Sequence, residues 1–114
     1  MTVSKFATKV YQLTSEVPRG KVTTYGAIAS RMGKPEASRA VGAALRANPT
    51  PIVVPCHRVV KQGGELGGYG GPSGTGRKAE LLREEGVAVR GGKVDLAEFL
   101  FAWRRGSRDP RSRA

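Results

Sequence analysis

Glycine and proline interrupt the first half of this chain at three points and limit it to short helices. The breaks fall at 18–20 (Pro-Arg-Gly), 33–35 (Gly-Lys-Pro) and 48–49 (Asn-Pro), and each combination ends a helix or turns the chain. Between the breaks, apolar residues recur at three- and four-residue spacing, which is typical of amphipathic helices. The pattern therefore predicts a mainly helical first half made of three short elements.

Two of these helices form a pattern that DNA-binding proteins use. Ser4 can cap the first helix and Thr23 or Thr24 the second, and the third runs from about residue 36 to 47. The predicted core-facing sets are Phe6, Val10, Leu13 and Val17; Ala27, Ile28 and Met32; and Ala37, Ala40, Val41, Ala44 and Leu45. The Gly33 turn between the second and third helices suggests a helix-turn-helix. Helical hairpins also occur in proteins that never contact DNA.

The solvent side of the third helix carries small side chains and two arginines. Arg39 and Arg46 lie there with Gly42 and Ala43, and Ser38 is on the flank. Small residues let a helix backbone approach a nucleic-acid groove, from which Arg39 would project as a probe. An ordinary solvated helix is the alternative, but an interior glycine costs about 1 kcal/mol relative to alanine and favours a packing role.

Charge points to the same partner. The 114 residues include 20 Lys and Arg against nine Asp and Glu, a net charge of +11, which makes nucleic acid the leading partner over an acidic protein. The length predicts one domain over residues 1–103, with a basic, disordered tail at 104–114. The chain has no pattern of a secretory signal or membrane span. We expect a cytoplasmic, nucleoid-associated monomer, or a nuclear one in a eukaryote.

The only cysteine, Cys56, is followed by the only histidine, His57. One cysteine excludes an internal disulfide, and one histidine is too few for a zinc site, so we expect no metal and no cofactor. Pro55 can begin a short helix with Cys56 near its positive end, where Arg58 also favours the thiolate. That setting is typical of a nucleophile, and an inert buried cysteine is the alternative.

The rest of the chain predicts a lid and a small hairpin. Half of the glycines lie between residues 63 and 76, and a segment with so high an ordering cost is a lid or a linker. Its place after Cys56 favours a lid whose bulky side chains are Leu66 and Tyr69. The elements predicted to follow are a helix at 77–85 ended by Gly86, a hairpin or wing around Gly91 and Gly92, and a last helix capped by Asp95 whose aromatic residues join the core.

The segment Pro55-Cys56-His57-Arg58-Val59-Val60 resembles the active-site motif of the O6-alkylguanine-DNA alkyltransferases, also called methylated-DNA–protein-cysteine methyltransferases. Matching motifs follow in family order: 21–26 (Lys-Val-Thr-Thr-Tyr-Gly), 38–42 (Ser-Arg-Ala-Val-Gly), 48–49 (Asn-Pro), 68–71 (Gly-Tyr-Gly-Gly) and 78–86. The resemblance covers about residues 5–90. It implies a mainly α domain with a small β element, with a winged-helix-like helix-turn-helix fold that binds double-stranded DNA through the minor groove.

The resemblance also implies roles for individual residues. Cys56 accepts the alkyl group from O6 of guanine, irreversibly and after base flipping, and His57 acts on the thiol through a water with Glu85 as its partner. Tyr25 protonates the leaving guanine, supported by Lys78. Arg39 is the finger that fills the base stack. Asn48 is a hinge, and the further implied substrate contacts are Pro51, Val59, Tyr69 and Gly70. The remaining implied DNA contacts are Thr24, Tyr25, Ser38, Ala40, Gly42, Ala43 and Arg46.

The short chain and its ending, residues 85–99, are similar instead to alkyltransferase-like proteins. Those bind alkylated DNA without repairing it, pass it to nucleotide excision repair, and usually replace the nucleophile, commonly with tryptophan. The presence of Cys56 and the Gly-Tyr-Gly-Gly segment favours the transferase. A helix-turn-helix transcription factor without chemistry or a thiol protease would leave the cysteine–histidine pair or the charge unexplained.

Overall fold

The computed structural model describes residues 4–47, 54–67 and 74–103. The elements within these ranges are α1 (Lys5–Ser15), β1 (Thr23–Thr24), α2 (Tyr25–Arg31), α3 (Ser38–Arg46), β2 (Val59–Val60), α4 (Gly74–Glu84), β3 (Val89–Arg90), β4 (Lys93–Val94) and α5 (Leu96–Phe99), with 3₁₀ turns at Pro35–Ala37 and Cys56–Arg58. In this part of the chain, no helix is both long and apolar enough to cross a bilayer.

Three predicted caps are confirmed. The side chains of Ser4, Thr24 and Asp95 each accept a hydrogen bond of 3.0 Å from a backbone N–H in the first turn of α1, α2 and α5. Each bond satisfies a donor that the helix itself leaves open. Gly86, which follows α4, has a φ of +90° and ends it as predicted.

The third helix differs from its prediction in its start and in its buried face. Pro35–Ala37 forms a 3₁₀ turn, and α3 begins only at Ser38. Ala40, predicted to face the core, is exposed, whereas Gly42, predicted on the solvent side, is buried. A Cβ at Gly42 would lie 3.8 Å from the ring of Tyr25. The aromatic ring at the start of α2 therefore covers Gly42 and leaves Ala40 open to solvent.

Two short strand pairs complete the fold. β1 and β2 are parallel, with Thr23 opposite Val59 and Thr24 opposite Val60, a pairing that the sequence reading did not foresee. Adjacent residues of a strand face opposite sides, so Val60 enters a first hydrophobic cluster and Val59 a second. The first cluster joins α4 and the hairpin; the second joins α1, α2 and α3. The site is built around this strand pair, between the two clusters.

The predicted hairpin is confirmed, and the predicted lid is partly wrong. β3 and β4 pair antiparallel around Gly91 and Gly92, whose φ angles of +58° and +74° suit a tight hairpin turn. Leu66, expected to be a lid side chain, is only 1% exposed and lies in the first cluster, because its backbone N–H donates to Gly92 O at 3.0 Å and draws it inward. α4 also begins at Gly74, inside the glycine-rich segment.

Several predicted residues lie outside the described ranges. They are Asn48 and Pro51, Tyr69 and Gly70, and the tail at 104–114.

The aromatic residues near the end of the described chain pack against the core, as predicted, and do not form a base-stacking platform. Phe99 packs against the first cluster and Trp103 against the second, and Trp103 Nε1 donates to Glu16 Oε1 at 2.7 Å.

Candidate active site and nucleic-acid groove

Cys56 is the first residue of the 3₁₀ turn that precedes β2. It is half-buried and packs against the second hydrophobic cluster, as do Tyr11 and Tyr25. The short helix expected here is a single turn of three residues, with Pro55 just before it rather than within it. One turn carries little of a helix macrodipole. The contribution of a helix dipole that the sequence predicted at Cys56 is therefore small.

His57 and Arg58, from the same turn, both contact Glu85. His57 Nε2 lies 2.9 Å from Glu85 Oε2. Arg58 donates from Nε to Oε1 and from an Nη to Oε2, both at 2.8 Å. Its other Nη donates to the carbonyl of Val17 at 2.9 Å. The turn that carries the cysteine is thus tied to the end of α4 and to the segment after α1.

The charges of this group follow from burial and hydrogen bonding. Burial raises the pKa of Glu85, but the hydrogen bonds from Arg58 and His57 outweigh it and hold that pKa below its ordinary value. Burial lowers the pKa of His57, and the hydrogen bond to Glu85 offsets this only in part. At neutral pH a neutral imidazole therefore faces an ionised carboxylate. Since a carboxylate only accepts, His57 donates from Nε2, and its Nδ1 is an acceptor.

Tyr25 and Lys78 form a second group beside the cysteine. Lys78 is fully buried and donates from Nζ to the carbonyl of Leu66 at 2.5 Å. Its Nζ lies 5.9 Å from the centre of the Tyr25 ring. Burial lowers the pKa of Lys78 to about 8. Burial also raises the pKa of Tyr25, and negative charge at Cys56 adds to this, against an opposing effect of Arg46. The phenol is thus protonated at neutral pH.

A groove of about 520 Å³ opens beside Tyr25. The residues that line it are Tyr25, Gly26, Ser38, Arg39, Gly42, Arg46, Lys61 and Gln62. It therefore gathers Tyr25 and four more of the predicted DNA contacts. Ala40 and Ala43 are exposed on α3 but do not line it, and the Thr24 side chain is buried as the cap of α2.

Sequence reasoning missed three features of this region. Lys61 and Gln62 line the groove, and only their position directly after β2 could have indicated it. The guanidinium of Arg58, assigned to the thiolate from its place in the chain, is bound by Glu85. The hydroxyl of Tyr11 donates to the carbonyl of Ala44 near the end of α3 at 2.7 Å, a contact between helices that no local pattern indicates.

Residues 5–87 match the family profile described as 6-O-methylguanine DNA methyltransferase, DNA binding domain. The chain belongs to this family. It is 52% identical over 84 residues to a methylated-DNA–protein-cysteine methyltransferase of Salmonella typhimurium, a match that covers 74% of this chain and 48% of that protein. For the Mycobacterium leprae protein of the same name the identity is 46% over 82 residues, covering 72% and 48%. The chain thus spans about half the length of these curated relatives.

Solved structures confirm the fold of the methylguanine methyltransferase DNA-binding domain. S. pombe Atl1, in complex with damaged DNA containing O6-carboxymethylguanine, is 36% identical with a TM-score of 0.79, over 90% of this chain and 99% of that one. Mycobacterium tuberculosis OGT, in complex with DNA, is 42% identical with a TM-score of 0.70, over 75% and 51%. The mainly helical helix-turn-helix architecture expected from the sequence is therefore confirmed.

Proposed function

We propose that this chain repairs DNA by direct reversal and moves an alkyl group from O6 of guanine onto Sγ of Cys56. One observation carries the proposal: a half-buried cysteine shares a turn with His57, which contacts Glu85, and packs against the same hydrophobic cluster as Tyr25, which lines a groove whose charged side chains are all cationic. The reaction needs no metal or cofactor. The partner of the protein is double-stranded DNA. The protein acts as a monomer in the compartment that contains this DNA, either the cytoplasm or a nucleus.

The thiol is activated through His57. Neutral Nδ1 takes the thiol proton through a water, and the Glu85 carboxylate stabilises the imidazolium that forms. The thiolate then attacks the alkyl carbon, so that an S–C bond forms while the O–C bond of the adduct breaks. Thiolate is a strong, soft nucleophile suited to displacement at carbon.

The leaving group is protonated by Tyr25. The electron pair of the broken O–C bond stays on guanine, and the Tyr25 hydroxyl delivers a proton to the ring. Lys78, beside the same ring, stabilises the phenolate that this step leaves. Solvent then carries the proton from the His57 imidazolium to the Tyr25 phenolate, which restores both side chains. The thioether has no hydrolytic exit, so each molecule acts once.

The alkylated base reaches the thiol only after it has been everted from the DNA double helix. Eversion of a nucleotide costs a few kcal/mol, which phosphate contacts to a basic surface offset. Arg39 enters the minor groove from the small-residue face of α3 and fills the vacated stack. In the same proposal Asn48 is the hinge of α3, Tyr69 and Gly70 lie against the base, and Pro51 and the carbonyl of Val59 line its pocket.

Intact-mass spectrometry tests the transfer directly. After incubation with a duplex that contains O6-methylguanine, we expect the protein to gain the mass of one methylene group, located at Cys56 by peptide mapping. Cys56→Ser should gain nothing and still bind the duplex. Wild-type protein that binds the damaged duplex tightly but gains no mass contradicts the proposal.

A second candidate is a binding-only damage sensor that recruits nucleotide excision repair. The observation that favours it is the structural match to S. pombe Atl1, a protein solved in complex with damaged DNA, which covers 90% of this chain with a TM-score of 0.79 and so extends past the matched family range of 5–87. As a sensor, the protein and its Cys56→Ser variant should protect alkylated cells equally. Protection that is lost with the thiol excludes this candidate.

A further inference from the structure

Tyr25 and Lys61 directly follow β1 and β2, at the same end of the parallel strand pair. β1 ends at Thr24 and β2 ends at Val60, and these two residues are partners in the register. The residues that follow them therefore emerge side by side. Both line the groove, with α3 as its one wall and Lys61 and Gln62 as the other. Lys61 thus lines the same opening as Tyr25 and the two arginines of α3.

The backbone and stem of Lys61 are held in place. Its N–H donates to the carbonyl of Glu65, and its carbonyl accepts from Gly64 N–H, both at 2.8 Å. A Cβ at Gly67 would lie 3.4 Å from Lys61 Cε and 3.6 Å from the hydroxyl oxygen of Tyr25. The aliphatic part of the Lys61 side chain and the Tyr25 hydroxyl therefore both lie next to Gly67. The charge of Lys61 also helps to lower the pKa of Lys78, after the larger effect of burial.

The positive charge of Lys61 has no carboxylate partner within the described ranges. The ion pairs found there are His57–Glu85, Arg58–Glu85 and Arg77–Glu80. The nearby carboxylate of Glu65 lies against Gly63 instead, where a Cβ would collide with it. The charged residues that line the groove, Arg39, Arg46 and Lys61, are all cations. Such a groove attracts an anion from both walls.

We propose that Lys61 binds a backbone phosphate of the nucleotide whose base enters the site. The inference rests on the proposed function, because it requires an everted nucleotide. A base that reaches Tyr25 leaves its own phosphates at the rim of the groove, where Lys61 stands. A lysine ammonium is a compact point charge suited to a single phosphate. Arg39 fills the stack from one wall, while Lys61 holds the rotated backbone from the other.

A salt series on two matched variants tests the contact. Lys61→Gln removes the charge, and Lys9→Gln removes an exposed lysine of α1 that does not line the groove. We measure affinity for a duplex with one O6-methylguanine between low and moderate salt. Lys61→Gln should bind several-fold more weakly at low salt, with the slope of log K against log salt reduced by about 0.9. Lys9→Gln should keep the wild-type slope, and an unchanged slope in Lys61→Gln overturns the proposal.

Neutral methylphosphonate linkages locate the phosphate. They replace the phosphates around the damaged nucleotide one at a time, and the penalty of Lys61→Gln should vanish at one linkage next to it. A penalty that persists at every linkage overturns the assignment. Free O6-methylguanine base has no phosphate, so Lys61→Gln should lose less of its reaction rate with this base than with the duplex, and an equal loss on the two substrates also overturns the assignment. If wild-type protein transfers no methyl group, the proposed function fails, yet a linkage-specific penalty still supports Lys61.

Discussion

Arg58 holds both carboxylate oxygens of Glu85 in a fork, with hydrogen bonds of 2.8 Å to Oε1 and to Oε2. Glu85 Oε2 also lies 2.9 Å from His57 Nε2. The orientation of the imidazole therefore depends on a carboxylate that a third residue fixes. Arg58 reaches the carbonyl of Val17 as well, so the fork connects the cysteine turn to the helical half of the fold.

Arg58→Lys should separate the effect of the two parallel hydrogen bonds to Glu85 from the effect of the positive charge. A lysine keeps the cation but cannot make two parallel hydrogen bonds to one carboxylate. We expect a loss of about 1–3 kcal/mol in the free energy of unfolding, measured in urea. Single-turnover transfer should slow about tenfold, which corresponds to roughly 1.4 kcal/mol, because His57 loses its fixed partner.

Arg77→Lys is the matched control. Arg77 pairs with Glu80 at 3.5 Å on the surface, where both side chains are largely exposed, and such pairs contribute little. We expect it to match wild type in both measurements. An Arg58→Lys variant with wild-type stability and rate would show that Glu85 needs no fork.

His57 should titrate below its ordinary pKa of 6.5, because burial lowers that pKa more than Glu85 raises it. As it is the only histidine, one imidazole signal followed by NMR gives the value directly. The unfolded chain then binds a proton near pH 6.5 that the folded chain does not, so stability should fall as pH drops below 6.5. Transfer should be flat from pH 6.5 to 7.5. A midpoint above 6.5 would mean that the ion pair with Glu85 dominates.

The short helices could be predicted because their signals are local. Ser4, Thr24 and Asp95 each cap the helix that follows, and Gly91 with Gly92 forms the turn of the hairpin. Such features depend on neighbours in the chain. The first residues of two helices were predicted less accurately, since α3 begins two residues later and α4 three residues earlier than the pattern indicated.

The site could be predicted in its residues but not in its connections. The Cys56–His57 pair stands out in the sequence, and the resemblance supplied Glu85 and Tyr25. The fork of Arg58 could not be foreseen, because it depends on where the fold places Glu85. The second wall at Lys61 depends on a parallel pairing between β1 and β2 that only tertiary structure defines. The burial of Gly42 has the same kind of cause, since the ring that covers it belongs to another helix.

Leu66→Ala should act as a core deletion rather than as a change to a lid. Leu66 is almost fully buried in the first cluster, and removing a buried leucine side chain costs about 2–5 kcal/mol. Its carbonyl also holds Lys78, but alanine keeps that group. Leu100→Ala is the control, because Leu100 is 41% exposed and should lose much less. A Leu66→Ala protein with wild-type stability would place this side chain outside the core.

Lys78→Met should remove a rise in stability that occurs above pH 8. Burial lowers the pKa of Lys78 from 10.5 to about 8, so between these values the unfolded chain holds a proton that the folded chain has released. Stability then increases with pH across this window. A shift of this size corresponds to about 3 kcal/mol.

The measurement is chemical denaturation at half-unit steps from pH 7 to 10, compared between wild type and variant. Taking the difference between the two proteins cancels the titration of Tyr11, whose pKa burial raises. We expect wild type to gain stability relative to Lys78→Met as pH rises through 8. Parallel curves would show that the ammonium is as well stabilised in the fold as in water. In that case Lys78 would stay charged beside Tyr25 throughout this pH range.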